Sequence, residues 1–158
     1  MENKFEKKEK ISEIELKKIS LEEIDATLLE VSKMKKTQTY SLPTRNEIEN
    51  YIKNGAFYII EANNQKVGYI SYEIKQDNHV YISEVGVFEE FQGRGVGRLA
   101  MQKILQELKD VKHFDLVAHP ENTRAVGLYS SLGFKQAGEP IENYFGDGEP
   151  RIKMILQK

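Results

Sequence analysis

Val85-Gly86-Val87-Phe88-Glu89-Glu90-Phe91-Gln92-Gly93-Arg94-Gly95-Val96-Gly97-Arg98 is the stretch on which the reading of this chain turns. An apolar run suited to a strand gives way to a short polar loop and three alternating glycines. Leu99-Ala100-Met101-Gln102-Lys103-Ile104-Leu105 then follows with helical spacing. Gly93, Gly95 and Gly97 remove side chains where backbone N–H groups must approach something closely. At a helix start, those N–H groups and the helix dipole converge on one point, and Arg94 and Arg98 add positive charge beside it. The physical reading is a cradle for a pyrophosphate.

Glycine loops serve several chemistries. A P-loop needs Lys and then Ser or Thr after its last glycine, whereas Arg98 and Leu99 follow Gly97. A dinucleotide fingerprint comes nearer, because Gly95-Val96-Gly97-Arg98-Leu99-Ala100 satisfies its Gly/Ala form and Asp115 lies about 20 residues on. That fold, however, places its glycines early, ahead of repeated βαβ units, and too little chain follows Gly97 to build them. A loop that merely turns the chain is the plain alternative.

Val87, Gln92, Gly95 and Gly97 match the V-x-x-x-x-(Q/R)-x-x-G-x-(G/A) signature of the GNAT superfamily of acyl-CoA N-acyltransferases. Asn122-Thr123-Arg124-Ala125-Val126-Gly127-Leu128-Tyr129-Ser130-Ser131-Leu132-Gly133-Phe134 resembles that superfamily's N-x-x-A-x-x-L-Y-x-x-x-G-F element. The two blocks stand in the family's order, with one helix and one strand between them. The resemblance runs from about Ala56 to the C-terminus, and the N-terminal third fits more loosely.

A chain of 158 residues has the size of one domain and can bury about two-thirds of its unfolded surface. A formal charge of −2 gives no global pull toward nucleic acid or anionic membrane. The absence of cysteine excludes a disulfide framework, a cysteine metal site and an acyl-cysteine intermediate. No apolar run reaches transmembrane length, and the N-terminus lacks a signal peptide's apolar core. A cytoplasmic protein is expected.

Residues 1–10 read as a disordered leader, and 11–158 as one domain. Ile11 to Ile19 suggests a half-exposed strand. Ser20 and Glu23 form a capping box for a helix from Leu21 that fades through Lys33-Met34-Lys35-Lys36. Thr37 to Leu42 reads as a loop, and a second helix runs from Pro43-Thr44 through Ile52 to Asn54-Gly55. Three strands follow, Ala56–Ala62, Val67–Lys75 and His79–Val87, with a turn at Asp77-Asn78. A helix from Gly97 to about Lys109 turns Leu99, Ile104, Leu105 and Leu108 inward. His113–Ala118 is a strand parallel to its neighbour. A helix over Asn122–Leu132 precedes a final strand pair, Phe134–Gln136 and Arg151–Leu156. The fold class is α+β, a mixed and mostly antiparallel sheet flanked by helices.

The resemblance implies acetyl-CoA as co-substrate, with its pyrophosphate on Gln92, Gly93, Arg94, Gly95, Val96, Gly97 and Arg98. Its pantetheine arm would pair like an extra strand with Val85 to Val87, between strands that splay apart after His79–Val87 and His113–Ala118. Glu84 is the expected base, an acid interrupting an apolar strand where it must face solvent or a cleft. Tyr129 matches the superfamily tyrosine that approaches the CoA sulfur as general acid, with ring packing on its helix as the plain alternative. Asn122 matches a helix-capping residue that contacts the pantetheine arm. Tyr40 and Tyr51 stand where the superfamily lines its acceptor cleft, although packing explains each.

His119 is an alternative base, or simply a strand-end residue before Pro120. His79 and His113 sit at expected turns and suggest no metal site. Asn143-Tyr144-Phe145-Gly146-Asp147-Gly148-Glu149-Pro150-Arg151-Ile152-Lys153-Met154 is similar to the tail of protein N-terminal acetyltransferases, with Tyr144 at the entrance. It departs from that tail at Pro150-Arg151, and Val117 stands where several of those enzymes carry a catalytic Glu. Glu142, Asp147 and Glu149 would equally attract a cationic polyamine or lysine. The implied partner is an amine-bearing small molecule or peptide. The resemblance allows a homodimer, without marking an interface. A catalytically silent acetyl-CoA-binding or sensing module is the alternative to an enzyme.

Overall fold

The computed structural model describes residues 8–35, 39–76 and 78–158. Most of the expected leader, residues 1–7, lies outside that set, as do Thr37, Gln38 and Asp77 from the expected loop and turn. The elements in chain order are β1 (Glu15–Lys18), α1 (Ile24–Val31), α2 (Arg45–Asn54), β2 (Gly55–Ala62), β3 (Gln65–Gln76) and β4 (His79–Val87). They continue with α3 (Val96–Glu107), β5 (His113–Ala118), α4 (Thr123–Ser131), β6 (Lys135–Gln136) and β7 (Ile152–Gln157).

Local chemistry accounts for several boundaries. The Ser20–Glu23 capping box forms, but it opens a 3₁₀ turn over Leu21–Glu23 that leads into α1. The helix then stops at Val31, short of the lysine run expected to carry it further. Thr44 caps α2 by accepting the Glu47 N–H at 3.2 Å, and Lys53 in the last turn suits the helix dipole. Asn63 and Asn64, with φ of 50° and 62°, make the tight turn that joins β2 to β3.

The strands form one seven-stranded sheet in the order β1-β2-β3-β4-β5-β7-β6. Every pairing is antiparallel except β4 with β5, which is parallel. This is the mixed, mostly antiparallel sheet expected, with β1 shorter than the run Ile11–Ile19. One face packs Ile70, Ile82, Leu116 and Met154 against Val96, Ala100, Met101 and Ile104 of α3 and Tyr129 of α4. Leu99, Leu105 and Leu108, expected inward, are only partly buried at the margin of that core. The opposite face packs Phe57, Ile59 and Tyr69 against Val31 of α1 and Ile48 and Tyr51 of α2.

Gly68 in β3 shows how closely the central strands approach. A Cβ there would lie 2.2 Å from the Gly86 carbonyl oxygen, which belongs to the β4 backbone and cannot swing aside. Gly68→Ala is expected to destabilise the fold by about 1–3 kcal/mol. The check is a lowered urea midpoint with an unchanged slope, and an unshifted midpoint contradicts the packing described.

Candidate active site

Parallel β4 and β5 pair at only three positions, His79 with His113, Val80 with Phe114 and Tyr81 with Asp115. Beyond Tyr81 the strands part, leaving Ile82 to Val87 with no ladder partner on that side, while β3 continues to pair the other. The expected splay is therefore present. Its cause is local: opposite the Ser71–Tyr72 step, β4 carries one extra residue, Ser83, so that Ser71 pairs with Glu84 and Tyr72 with Ile82. A bulge bends its strand and increases the twist.

The bulge also resets side-chain parity. Ile82 and Val85, three residues apart, both pack on the α3 face. Tyr81 and Glu84, likewise three apart, interact electrostatically with each other and with Tyr51 of α2, on the opposite face. The carboxylate of Glu84 sits among phenols. It accepts from Tyr40 at 3.0 Å and from Tyr51 at 3.4 Å, and Tyr40 also shares a short hydrogen bond with Tyr69. Gly86 makes room for that arrangement, because a Cβ there would come within 2.5 Å of the Tyr69 ring.

Burial raises the Glu84 pKa from 4.5 to about 8; hydrogen bonds from Tyr40 and Tyr51 oppose the rise, and the charge of Glu47 adds to it. Burial and the charge of Glu84 push the phenols of Tyr40, Tyr51, Tyr69 and Tyr81 well above their usual value. The result is a proton-accepting group of near-neutral pKa surrounded by neutral donors. The family resemblance implied that Tyr40 and Tyr51 border the cleft, with packing as the alternative, but their bonds to Glu84 depend on how α2 and the segment before it cross the sheet.

The glycine loop lies at the open end of the gap. Gly93 and Gly95 have φ of +75° and +90°, backbone that side chains rarely adopt, and Gly95 caps α3. Gly97 is needed for space, since a Cβ would lie 3.2 Å from Leu128 of α4 and about 4 Å from Val85 and Val87. The first N–H groups of α3 have no intrahelical partner and face the turn.

Gln92 bridges the loop internally. Its side-chain amide donates to the Val87 carbonyl at 2.9 Å and accepts from Arg124 at 3.2 Å. Arg94 is engaged with the N-terminal segment: its Nε donates to the Glu9 carbonyl and its own carbonyl accepts from Ile11, each at 2.8 Å. Arg98 stays exposed. Asn122 caps α4 by accepting from Ala125 at 3.2 Å. The fold thus adds Arg124, within the second motif, to the basic rim of the loop.

Tyr129 belongs to the α3–α4 side of the sheet, where its ring packs on Phe134 at 6.1 Å between centroids. Glu84 belongs to the other side, yet the two are in electrostatic contact because no strand separates them at the gap. Burial, and then the charge of Glu84, raise the Tyr129 pKa and keep the phenol protonated.

His119 is not free to act as a base. Its Nδ1 accepts from the Glu121 N–H at 3.0 Å, which leaves Nε2 to donate to Glu149 at 2.7 Å. Asp147 is bonded by Arg151 at 2.9 Å. Two of the three tail acids therefore hold the β6–β7 connection in place, and acids of the sheet and α2, Glu47, Glu73 and Glu84, surround Tyr51 instead. Tyr144 is half-exposed and stacks edge-on against Phe145.

Both aromatic residues line an open cavity of about 580 Å³ with Lys75, Gln76, His79, Tyr81 and Asp115. The sequence reading kept His79 and His113 apart at separate turns, but β4–β5 pairing sets them side by side, with rings 4.6 Å apart.

A family model described as the acetyltransferase (GNAT) family matches residues 21–134, and the chain belongs to that family. An N-alpha-acetyltransferase of Sulfurisphaera tokodaii is 24% identical over 151 residues, covering 82% of this chain and 89% of that protein. A spermidine N(1)-acetyltransferase of Escherichia coli is 29% identical over 108 residues, covering 63% of this chain and 56% of that protein. A solved N-acetyltransferase of Thermoplasma acidophilum in complex with coenzyme A superposes with a TM-score of 0.68 at 21% identity, covering 93% of this chain and 100% of that one. The protein is thus an acetyltransferase by family, built on the fold of known acetyltransferases. No helix among the described residues is long and apolar enough to cross a membrane.

The state of Glu84 has a consequence for stability. Between the usual value of 4.5 and about 8, the folded protein keeps a proton that the unfolded chain has released. Its contribution is therefore lost as pH rises through that window. Glu84→Gln removes this penalty. Relative to wild type, the variant is expected to gain on the order of 4 kcal/mol between pH 5 and pH 8.5. Urea unfolding at both pH values reads the difference, and a constant gap contradicts the buried state described.

Proposed function

We propose that this protein transfers an acetyl group from acetyl-CoA directly to a primary amine within a ternary complex. The observation that carries the reading is Glu84, hydrogen-bonded by two phenols at the edge of a strand whose neighbour has turned away. The loop supports it, with positive-φ glycines at a helix start and Arg98 and Arg124 beside it, the donor set a pyrophosphate needs. A fold neighbour was solved with coenzyme A, and the residues here suit the same carrier. Gln92, Gly93, Arg94, Gly95, Val96, Gly97 and Arg98 would hold its diphosphate. Val85 and Val87 would pair with its amide-bearing arm, and Asn122 would border that arm where it caps α4.

The chemistry follows from the two faces of the gap. An amine arrives as its ammonium, and the carboxylate of Glu84 takes that proton, directly or through a water. The amine lone pair attacks the thioester carbonyl carbon, and a backbone N–H near Val87 stabilises the oxyanion. The carbon–sulfur bond then breaks, the nitrogen releases its remaining extra proton to solvent, and the acetyl group stays on nitrogen as an amide. A coenzyme thiolate has a pKa near the ordinary thiol value of about 8.5, so it can leave as the anion. With its pKa raised, Tyr129 hydrogen-bonds the departing sulfur as a neutral donor and is too weak an acid to give up its proton outright.

Among amines, a peptide α-amine is the first reading. Its ordinary pKa of about 7.7 lies beside that of Glu84 at about 8, so the proton passes between them at little cost. A lysine amine, at about 10.4, gives up its proton less readily. The tail around Tyr144 and the N-alpha-acetyltransferase relative favour the same class. A polyamine is the second reading, supported by Glu47 and Glu73 beside Tyr51 and by the spermidine acetyltransferase relative.

A silent binding module would hold the coenzyme without turnover, and the two readings separate in one set of measurements. Calorimetry is expected to show acetyl-CoA binding to wild type and Glu84→Gln with similar affinity. Coenzyme A release, assayed across peptides, polyamines and small amines, should fall on the order of 10²- to 10⁴-fold in Glu84→Gln. The wild-type kcat should rise with pH along a limb that the variant lacks. Tyr129→Phe should lose about 10- to 100-fold in kcat with binding retained. Binding with no release for any amine leaves the silent module. A pH limb shared by wild type and Glu84→Gln belongs to the acceptor's own ammonium and removes Glu84 from the mechanism.

A further inference from the structure

His79, His113 and Asp115 each offer one ligand atom, and those atoms lie within 4.8 Å of one another. The grouping follows from strand geometry. β4 and β5 pair in parallel register at His79–His113, which places the two imidazoles on neighbouring strands at the same level. Asp115 stands two residues beyond His113 on the same face, opposite Tyr81, the last paired position before the strands part. The His113 N–H donates to the Asn78 carbonyl at 2.9 Å, tying the start of β5 to the turn that launches β4. The three side chains are thus carried on rigid backbone.

We infer that these three residues form a binding site for a divalent transition-metal ion of the zinc class, pinning β4 to β5 at the closed foot of the gap. Two imidazoles and a carboxylate are a donor set of that class, and three protein ligands leave a further position open. Two of the three ligands, His79 and Asp115, line the cavity of about 580 Å³ together with Tyr81 and Tyr144. In the metal-free protein, His79 Nε2 and Asp115 Oδ1 stand 2.6 Å apart and share a proton. The ion takes the place of that proton. The pair then opens to about 3.3 Å, the edge of a tetrahedron with metal–nitrogen bonds of about 2.0 Å.

Lys153 contacts the other carboxylate oxygen, Oδ2, at 3.4 Å. It orients Asp115 as an outer partner while leaving Oδ1 to the ion. The His79 side chain is 31% exposed and that of Asp115 10%, so an ion reaches the site from the cavity without unfolding of the sheet. Glu84 lies beyond the bulge and is not a ligand. The site therefore does not depend on the acetyl-transfer reading and holds whichever amine, if any, is acetylated.

The test uses the whole chain, free of any affinity tag, titrated with Co²⁺ alone and then with Zn²⁺ alone. Visible absorption should show ligand-field bands that saturate at one Co²⁺ per chain and vanish on addition of Zn²⁺, with a higher melting temperature in the loaded protein. His79→Gln and His113→Gln, at partly exposed positions, should each weaken binding at least tenfold, and the double variant should abolish the bands. Asp115→Asn should weaken binding while preserving side-chain shape, and circular dichroism verifies the fold of every variant. No saturable binding in wild type overturns the proposal. So does binding that is equally strong in the folded double variant, which would leave His79 and Asp115 as a hydrogen-bonded pair and nothing more.

Discussion

A β-strand buried in a sheet must satisfy its backbone on both sides, and beyond Tyr81 β4 finds a strand partner on only one. Antiparallel β3 pairs it along most of its length, while parallel β5 leaves it after Tyr81. Buried N–H and C=O groups left unpaired are costly, so the exposed edge of Ile82 to Val87 calls for a partner that itself carries amides. The rest of the molecule is arranged about that open strand edge. α3 begins at one end of it, α4 presents Tyr129 across it, and β7 braces β5 from behind by antiparallel pairing from His113 to Ala118.

One inserted residue links this opening to the chemistry. Ser83 shifts the parity of β4, so that Val85 keeps its place in the α3 core while Glu84 turns toward α2. The carboxyl is then desolvated among phenols that are themselves held neutral, and its pKa rises to about 8. Keeping a charged carboxylate in such a place costs stability, and a shift of this size and cause is the kind that clusters at functional sites. The bond from Tyr40 to both Glu84 and Tyr69, and the room Gly86 leaves for the Tyr69 ring, show how much of the surrounding sheet serves to place one acid.

Other polar groups near the gap serve to hold the chain together. His119 ties β5 to the tail loop through Nε2 and to its own following turn through Nδ1, and Asp147 and Arg151 brace that loop internally. A charged side chain near a cleft is therefore not by that fact a ligand group. What distinguishes Glu84 from Asp147 is that hydrogen bonds and charge lower the pKa of Asp147, whereas burial raises that of Glu84.

The order of elements, the glycine loop with its helix, the Asn122–Phe134 motif and hence the family are legible in the chain alone, because these features are local. Positive-φ glycines, helix caps and period-two strands act over a few residues and are written in consecutive letters. The sequence also exposed Glu84 and Tyr129 as candidates, through an acid in an apolar strand and a motif position. What surrounds them is set by the folded sheet. The phenol cage joins residues as far apart as Tyr40 and Glu84, and the parity of Glu84 depends on a bulge that no alternation pattern reveals. His79 and His113 meet because two strands pair in parallel across an intervening helix. Register, crossover and bulge are properties of the assembled sheet, fixed by the packing of all its strands at once, and no short stretch of chain carries them.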